Sequence, residues 1–179
     1  MSTADCGYSE ALRAHWQRTR KMLTAIAAAM PEDKYDFRPV KEVRSFREML
    51  QHLIEDGITH MGWVAGQSRE ESEKYAAKYK NLKTRDELLK ALAESYDYGD
   101  KMLATLTDQN AMDMVSGMRA ERMTRVEAAL VSFEDQMDHY GNFVVYLRIN
   151  GIVPPSTANA QQERQQNLRQ QQQEPEHQH

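Results

Sequence analysis

Apolar residues recur at spacings of three and four along most of the chain, which is the pattern of helices with one buried face. The prolines fall at positions 31, 39, 154, 155 and 175, outside every strongly periodic segment. Long helices are therefore allowed between them. The first predicted helix runs from about residue 8 to residue 30, where Pro31 ends it. Its apolar face contains Leu12, Trp16, Leu23, Ile26 and Met30.

Three later helices are marked by capping boxes, in which a hydroxyl residue at the N-cap is followed three residues later by a glutamate. The pairs are Ser45 with Glu48, Thr84 with Glu87, and Thr124 with Glu127. They predict a second helix over about 45–65, a third over 84–106 and a fourth over 124–150. Gly66 and Gly151 follow the second and fourth helices, where glycine can adopt the left-handed conformation that ends a helix.

The segments between these helices differ in length. Residues 31–44 form a proline-bounded loop, whereas 67–83 and 108–123 are long for a bundle of antiparallel neighbours, which favours a crossover or short extra helices. No segment shows a strand signal. Residues 157–179 are rich in glutamine and lack an apolar period, so we expect a disordered tail after a domain at 1–156. The pattern therefore predicts an all-α four-helix bundle.

Composition narrows the class of protein further. The 179 residues are 40% hydrophobic and 28% charged, which is typical of one globular domain. A net charge of −4 without a dominant basic patch argues against nucleic acid as the main partner. Apolar runs such as residues 26–30 are far shorter than the ~20 residues of a membrane span. With a single cysteine, Cys6, and no signal-peptide pattern, we expect a cytoplasmic protein without membrane association.

Two predicted helices carry polar residues that a simple bundle does not need. The second has His52, Asp56 and His60 at successive steps of four, and the fourth has Asp135 and His139 one such step apart. Each set lies on one helix face. Two imidazoles and a carboxylate from two helices can form the 2-His-1-carboxylate set that binds a divalent cation with open coordination positions. The alternative is that these are solvated ion pairs, with His60 filling the edge of the core.

The fourth predicted helix has two apolar stripes instead of one. One stripe contains Val126, Leu130, Phe133, Met137 and Val144. The other contains Ala128, Val131, Tyr146 and Ile149, on the side that also carries Asp135 and His139. Because both stripes favour burial, we expect one to face the bundle and the other a second subunit in a homodimer. The helical wheel alone does not say which stripe faces which.

Three segments resemble a known family. They are PEDKYDFRP at 31–39, VRSFREMLQH at 43–52 and, most specifically, HYGNFVVYLRINGIVPP at 139–155. Together they resemble the DinB-like (DinB/YfiT) superfamily over about residues 8–156. The resemblance implies a four-helix bundle with an up-down-down-up arrangement, commonly dimeric. It also implies a divalent metal held by three histidines, one on the second helix and two on the last.

His52 matches the first of these ligands and His139 the last, but the middle position holds Asp135. A site of His52, Asp135 and His139 would suit Zn, Ni, Fe or Mn, and the carboxylate shifts the preference toward harder ions. Some relatives are transferases that use a low-molecular-weight thiol such as bacillithiol or mycothiol, and others are hydrolase-like or isomerase-like, so the resemblance implies a transferase or a hydrolase. The first hypothesis is therefore a metal-dependent enzyme, in particular a thiol-dependent S-transferase acting on a small electrophile. The alternative is a non-catalytic dimeric bundle whose altered triad no longer binds metal.

Overall fold

The computed structural model describes residues 7–117 and 121–173. Cys6 and the last part of the predicted tail, residues 174–179, lie outside this range. The helices are α1 (Tyr8–Ala29), α2 (Phe46–Val64), α3 (Arg69–Ala76), α4 (Arg85–Ala104), α5 (Arg125–Ile149) and α6 (Pro155–Gln173). Single 3-10 turns follow α1 and α3, and strands β1 (Met114–Ser116) and β2 (Arg122–Thr124) precede α5. The four predicted helices correspond to α1, α2, α4 and α5.

These four helices form the bundle, and the contacts at their ends define its topology. Helix α1 packs against α4 and α5, and α2 packs against the same two helices. The Arg85 side chain at the start of α4 donates to the carbonyl of Ala28 near the end of α1, so α1 and α4 are antiparallel. Gln67, just after α2, accepts from Tyr98 late in α4, so α2 and α4 are parallel. This is the up-down-down-up arrangement that the resemblance implies.

The helix starts follow from local chemistry. The side chains of Ser45, Thr84 and Thr124 each accept a hydrogen bond from the backbone N–H of the glutamate three residues later. Each glutamate carboxylate in turn accepts a hydrogen bond from the backbone N–H of the cap residue. The three predicted capping boxes are thereby confirmed. Gly66 and Gly151 have φ values of 79° and 73°, the left-handed conformation expected of glycine after a helix.

The expected crossover lies between α2 and α4. Because these helices are parallel, the chain must return along the bundle, and α3 with its 3-10 turn does so. A fourth capping box, Ser68 with Glu71, begins α3 and was not among the predicted helix starts. Helix α3 buries Ser72 against α2 at Gly62, where any Cβ atom would collide with the Ser72 hydroxyl.

A short hairpin before α5 differs from the prediction of an entirely helical chain. Strands β1 and β2 pair antiparallel, with Met114 opposite Thr124 and Ser116 opposite Arg122. Three residues per strand are too few to show a clear alternation, which is why the sequence pattern missed them. Two further backbone bonds, from Arg125 to Asp113 and from Val126 to Ala111, join the hairpin segment to the first turn of α5.

The glutamine-rich segment also differs from the expectation of disorder as far as the structure describes it. Residues 157–173 belong to α6, which begins at Pro155. Alanine, glutamine, glutamate and arginine have high helix propensity, so a helix can form here without a buried apolar face. Residues 161–171 are all exposed, which agrees with the predicted lack of a core. The expectation of disorder for residues 174–179 falls outside the described range.

The core lies between the four bundle helices. Trp16, Tyr96 and Phe143 are among its largest fully buried side chains. The Trp16 indole N–H donates to the carbonyl of Tyr96, which ties α1 to α4 at 3.4 Å. Among the helices in the described ranges, none has the length and apolar character that a membrane crossing requires.

Candidate metal site

Helices α2 and α5 run antiparallel, and hydrogen bonds at both ends fix their register. The Arg125 side chain at the start of α5 donates to the carbonyl of Val64 at the end of α2, at 2.7 Å. The Tyr146 hydroxyl near the other end donates to the carbonyl of Arg44, just before α2. Between these two bonds, His52 lies opposite His139 and His60 lies opposite Asp135. This register brings their histidines and aspartates together.

His52 and His139 meet across the two helices. Their ring centroids are 5.1 Å apart, and the rings are nearly perpendicular. Asp56, one turn after His52, places Oδ2 3.2 Å from His52 Nε2. One donor atom from each of His52, Asp56 and His139 lies within 4.8 Å of the others. Two donors on opposite sides of one ion at ~2.1 Å are about 4.2 Å apart, so a small side-chain movement would let the three share a cation.

Asp135 lies at the inner side of this group. Its Oδ1 is 3.5 Å from His139 Nε2, and its Oδ2 is 4.0 Å from His60 Nδ1. The side chains of His60 and His139 are only 6% and 9% exposed, whereas His52 is 29% exposed. The cluster therefore extends from a buried end at His60 to a solvent-accessible end at His52.

Several polar atoms in the cluster have no protein partner. His60 Nδ1, Asp135 Oδ2 and His139 Nδ1 are buried and make no hydrogen bond to any residue that the structure describes. Leaving a buried donor or acceptor unpaired costs about 1–3 kcal/mol. Folded proteins rarely retain such groups without a bound ion, water or functional role. Imidazole nitrogens and carboxylate oxygens are the ligands that a divalent cation of the Zn, Ni, Fe or Mn type prefers, so the chemistry of the cluster fits such an ion.

Burial and neighbouring charges shift the pKa values of these groups in different directions. Burial lowers the pKa of His52 and of His60. A hydrogen-bonding contact with Asp135 raises the pKa of His139. Burial, reinforced by the charge of Asp135, raises the pKa of Asp56 to about 6. Burial opposes ionisation of Asp135 as well, but its contacts with the surrounding imidazoles outweigh burial and lower its pKa.

The structure thus brings the predicted residues His52, Asp135 and His139 into one cluster and adds two others. Asp56 is close enough to share a cation with the two histidines. His60, interpreted from the sequence as filler at the core edge, lies instead beside Asp135. The available signal was their positions four and eight residues after His52, which placed both on one helix face but could not say what that face meets.

Comparison with known proteins agrees with this architecture. The family model of the DinB superfamily matches residues 15–142. A DinB-like protein from Bacillus subtilis superposes with a TM-score of 0.63 and 18% identity, covering 79% of this chain and 92% of that one. A DinB-like protein from Bacillus cereus gives a TM-score of 0.68 at 11% identity, covering 82% and 95%. No match was found among curated proteins.

The family match covers more than half of the chain, and the fold and the polar cluster between α2 and α5 agree with it. The chain therefore belongs to the DinB superfamily. The similar structures are less than 25% identical and establish the fold only.

Proposed function

We propose that the protein is a metal-dependent enzyme that transfers a low-molecular-weight thiol to a small electrophile. The observation that carries the proposal is the convergence of donor atoms from His52, Asp56 and His139 between α2 and α5. Asp135 Oδ1 lies 3.5 Å from His139 Nε2, and buried polar atoms beside this group lack a partner among the described residues. We assign His52, Asp135 and His139 as the ligands of one divalent cation, with Asp56 as a further donor within reach. Thiol transfer is the part of the proposal that comes from the resemblance to the superfamily.

The cluster is buried at His60 and exposed at His52, and this direction indicates how the residues would act. A bound divalent cation lowers the pKa of a coordinated thiol or water, so that a nucleophile forms near neutral pH. The half-exposed edge of His52 marks the side from which a small molecule would approach. Asp56 lies on the same side, where its carboxylate would accept the released proton at Oδ2. His139 and Asp135, further inside, would hold the ion.

In the transfer step, the thiolate sulfur forms a bond to carbon as the bond from that carbon to its leaving group breaks. The leaving group departs with the electron pair, and the thiol proton remains on Asp56 until solvent removes it. No oxidant or reductant is needed. A cytoplasmic location, where low-molecular-weight thiols are kept reduced, fits this chemistry.

Metal analysis tests the ion site. Protein purified without a histidine tag should contain about one equivalent of a divalent metal per chain, as a single site with three protein ligands predicts. His139→Ala should reduce the content to background, and His15→Ala on α1 should leave it unchanged. Background metal in a well-folded wild-type protein would reject the proposal and favour the non-catalytic bundle.

A thiol screen tests the reaction. Metal-loaded protein is incubated with monochlorobimane and a panel including bacillithiol and mycothiol, and formation of the fluorescent thioether is followed. We expect one thiol to react faster than its uncatalysed rate, and the His139→Ala protein to show only that background rate. Equal rates for the loaded protein and this variant would refute thiol transfer even if the metal is present.

We also propose that the protein forms a homodimer through the outer side of α5. Leu130 and Met137, from the first predicted stripe, are 46% and 37% exposed. Leu130 lines an apolar groove of about 460 Å³ between α1 and α5, together with Tyr8, Leu12 and Val126. In the other stripe, Tyr146 is buried and packs on Phe46 of α2, whereas Ile149 is 55% exposed. Sedimentation should show a dimer for the wild type and a monomer for Leu130→Glu, and a monomeric wild type would reject the dimer.

A further inference from the structure

His60 occupies an unusual position at the buried end of the cluster. Its side chain is 6% exposed, and one face of its ring packs against Trp63 with 4.8 Å between the ring centroids. Nδ1 is the atom that points toward α5, where Asp135 Oδ2 lies 4.0 Å away. Neither atom has a hydrogen-bond partner within residues 7–117 and 121–173.

The two atoms are complementary. Burial favours the neutral imidazole, which carries one N–H donor, and an ionised carboxylate is a pure acceptor. Their separation exceeds a hydrogen bond by about 1 Å, a gap that a small rotation of either side chain would close. The other carboxylate oxygen, Oδ1, already faces His139 Nε2. The Asp135 carboxylate therefore has one oxygen toward the proposed ion site and one toward His60.

We infer that His60 is a positioning residue for the metal site, whose Nδ1–H donates to Asp135 Oδ2 and so holds Oδ1 toward the cation. This inference rests on the proposed function, because it assigns His60 a role in the same site. Without the bond, the Asp135 side chain can rotate about its last torsion, and either oxygen or neither would face the ion. Partners that orient a metal ligand in this way typically contribute 10–100-fold to metal affinity.

Paired substitutions at His60 separate a hydrogen-bonding role from a packing role. In His60→Asn, the amide nitrogen can occupy the place of Nδ1 and still donate, whereas His60→Phe keeps the ring and removes the donor. Zinc affinity is measured by competition with a chromophoric chelator. We expect His60→Phe to weaken binding by about 10–100-fold and His60→Asn by less than about threefold. In an Asp135→Asn background, His60→Phe should have no further effect.

Three results would overturn the inference. Equal losses for His60→Phe and His60→Asn would indicate packing, and wild-type affinity in both would indicate no role. A fall from two bound ions to one in His60→Phe would make His60 a ligand of a second cation. The ring of His15 packs on Phe133 where α1 contacts α5, away from the cluster. As matched controls, His15→Asn and His15→Phe should bind zinc like the wild type.

A measurement without metal keeps this test separate from the proposed function. In chelator-treated protein, nitrogen chemical shifts of the His60 ring should show a proton on Nδ1, and Asp135→Asn should shift that resonance. If the wild type binds no zinc, the proposed function fails, while these shifts still decide whether His60 and Asp135 are joined. A His60 spectrum that is unchanged by Asp135→Asn would refute the contact.

Discussion

Helix α5 carries two buried polar clusters on adjacent faces, and they differ in how well their hydrogen bonds are satisfied. On one face, Gln136 accepts from the Tyr96 hydroxyl at 2.8 Å and donates to Ser132 at 3.2 Å. On the other face, Asp135 and His139 meet α2 and leave buried atoms unpaired with respect to the residues described. The two clusters are neighbours in sequence and belong to the same rigid helix.

The difference distinguishes a cluster that joins two helices from the cluster proposed to bind a cation. The Tyr96–Gln136–Ser132 cluster links α4 to α5 and is nearly self-contained, so it needs no ligand. In the Asp135–His139 cluster, buried polar atoms lack a partner among the described residues, and this lowers stability unless a cation is bound. Proteins accept such a cost at functional sites. Substitutions in the two clusters should therefore affect different properties.

The largest expected contrast is in cation binding. His139→Ala removes a proposed ligand and should weaken zinc binding by more than about 100-fold, beyond the range of an orienting partner. Gln136→Leu, on the adjacent face of α5, should leave the zinc affinity within about threefold of the wild type. Competition with a chromophoric chelator measures both. A comparable loss in the two variants would mean that the clusters do not have separate roles.

The contrast should reverse for stability. Gln136→Leu keeps the volume but leaves the Tyr96 hydroxyl buried without its acceptor, which should cost about 1–3 kcal/mol of unfolding free energy. The measurement is urea unfolding of metal-free protein with circular dichroism. Tyr96→Phe is the matched control, because in the double variant both partners are removed and the loss should be smaller than the sum. Additive losses would show that the hydrogen bond does not connect the two side chains.

The burial of Asp56 should make the free energy of unfolding depend on pH. Its pKa rises from 3.8 in the unfolded chain to about 6 in the folded protein. The folded state therefore binds more protons between these values, and this carboxyl makes stability fall as pH rises through that window. Asp56→Asn should match the wild type below pH 3.8, gain stability up to about pH 6 and keep that gain at higher pH.

Urea unfolding of the metal-free proteins across this pH range checks the expectation. Asp36→Asn provides an opposite control, because the hydrogen bond from Arg47 lowers the pKa of Asp36 and its removal should not stabilise the protein. A pH-independent difference between Asp56→Asn and the wild type would show that the carboxyl is not destabilised by burial.

The smallest effect is expected from the C-terminal segment, which belongs to neither cluster. Deletion of residues 157–179 removes most of α6, whose residues 161–171 are all exposed. It leaves the bond between the Tyr140 and Ser156 hydroxyls in place. We propose that 1–156 is the folding domain, so zinc affinity and the unfolding midpoint should stay near their wild-type values. A large loss of either would place α6 within the domain.

The helical part of the fold could be predicted because its signals are local. A hydroxyl and a glutamate three residues apart satisfy backbone donors within one turn, and the starts of α2, α4 and α5 follow directly. The hairpin at β1 and β2 could not, because three-residue strands depend on pairing across the turn and on packing against the core. The helix at 155–173 has no apolar face and forms on helix propensity alone, so the hydrophobic pattern does not reveal it.

The candidate site was only partly predictable for a similar reason. Steps of four along a helix identified His52, Asp135 and His139 as residues that share a face with other polar groups. They could not assign His60 to Asp135, since that contact joins residues 75 positions apart in sequence (135 − 60). Nor could they show that Leu130 of one α5 stripe is exposed while Tyr146 of the other is buried.

The amino-acid sequence by itself determined the four long helices, where they begin and end, and the family to which the chain belongs. Only the tertiary structure decided which helix faces meet, and with them the positions of Asp56 and His60 in the site. Helix ends depend on hydrogen bonds within a few residues, whereas the register of α2 against α5 depends on the packing of the whole bundle and on the bonds at Arg125 and Tyr146.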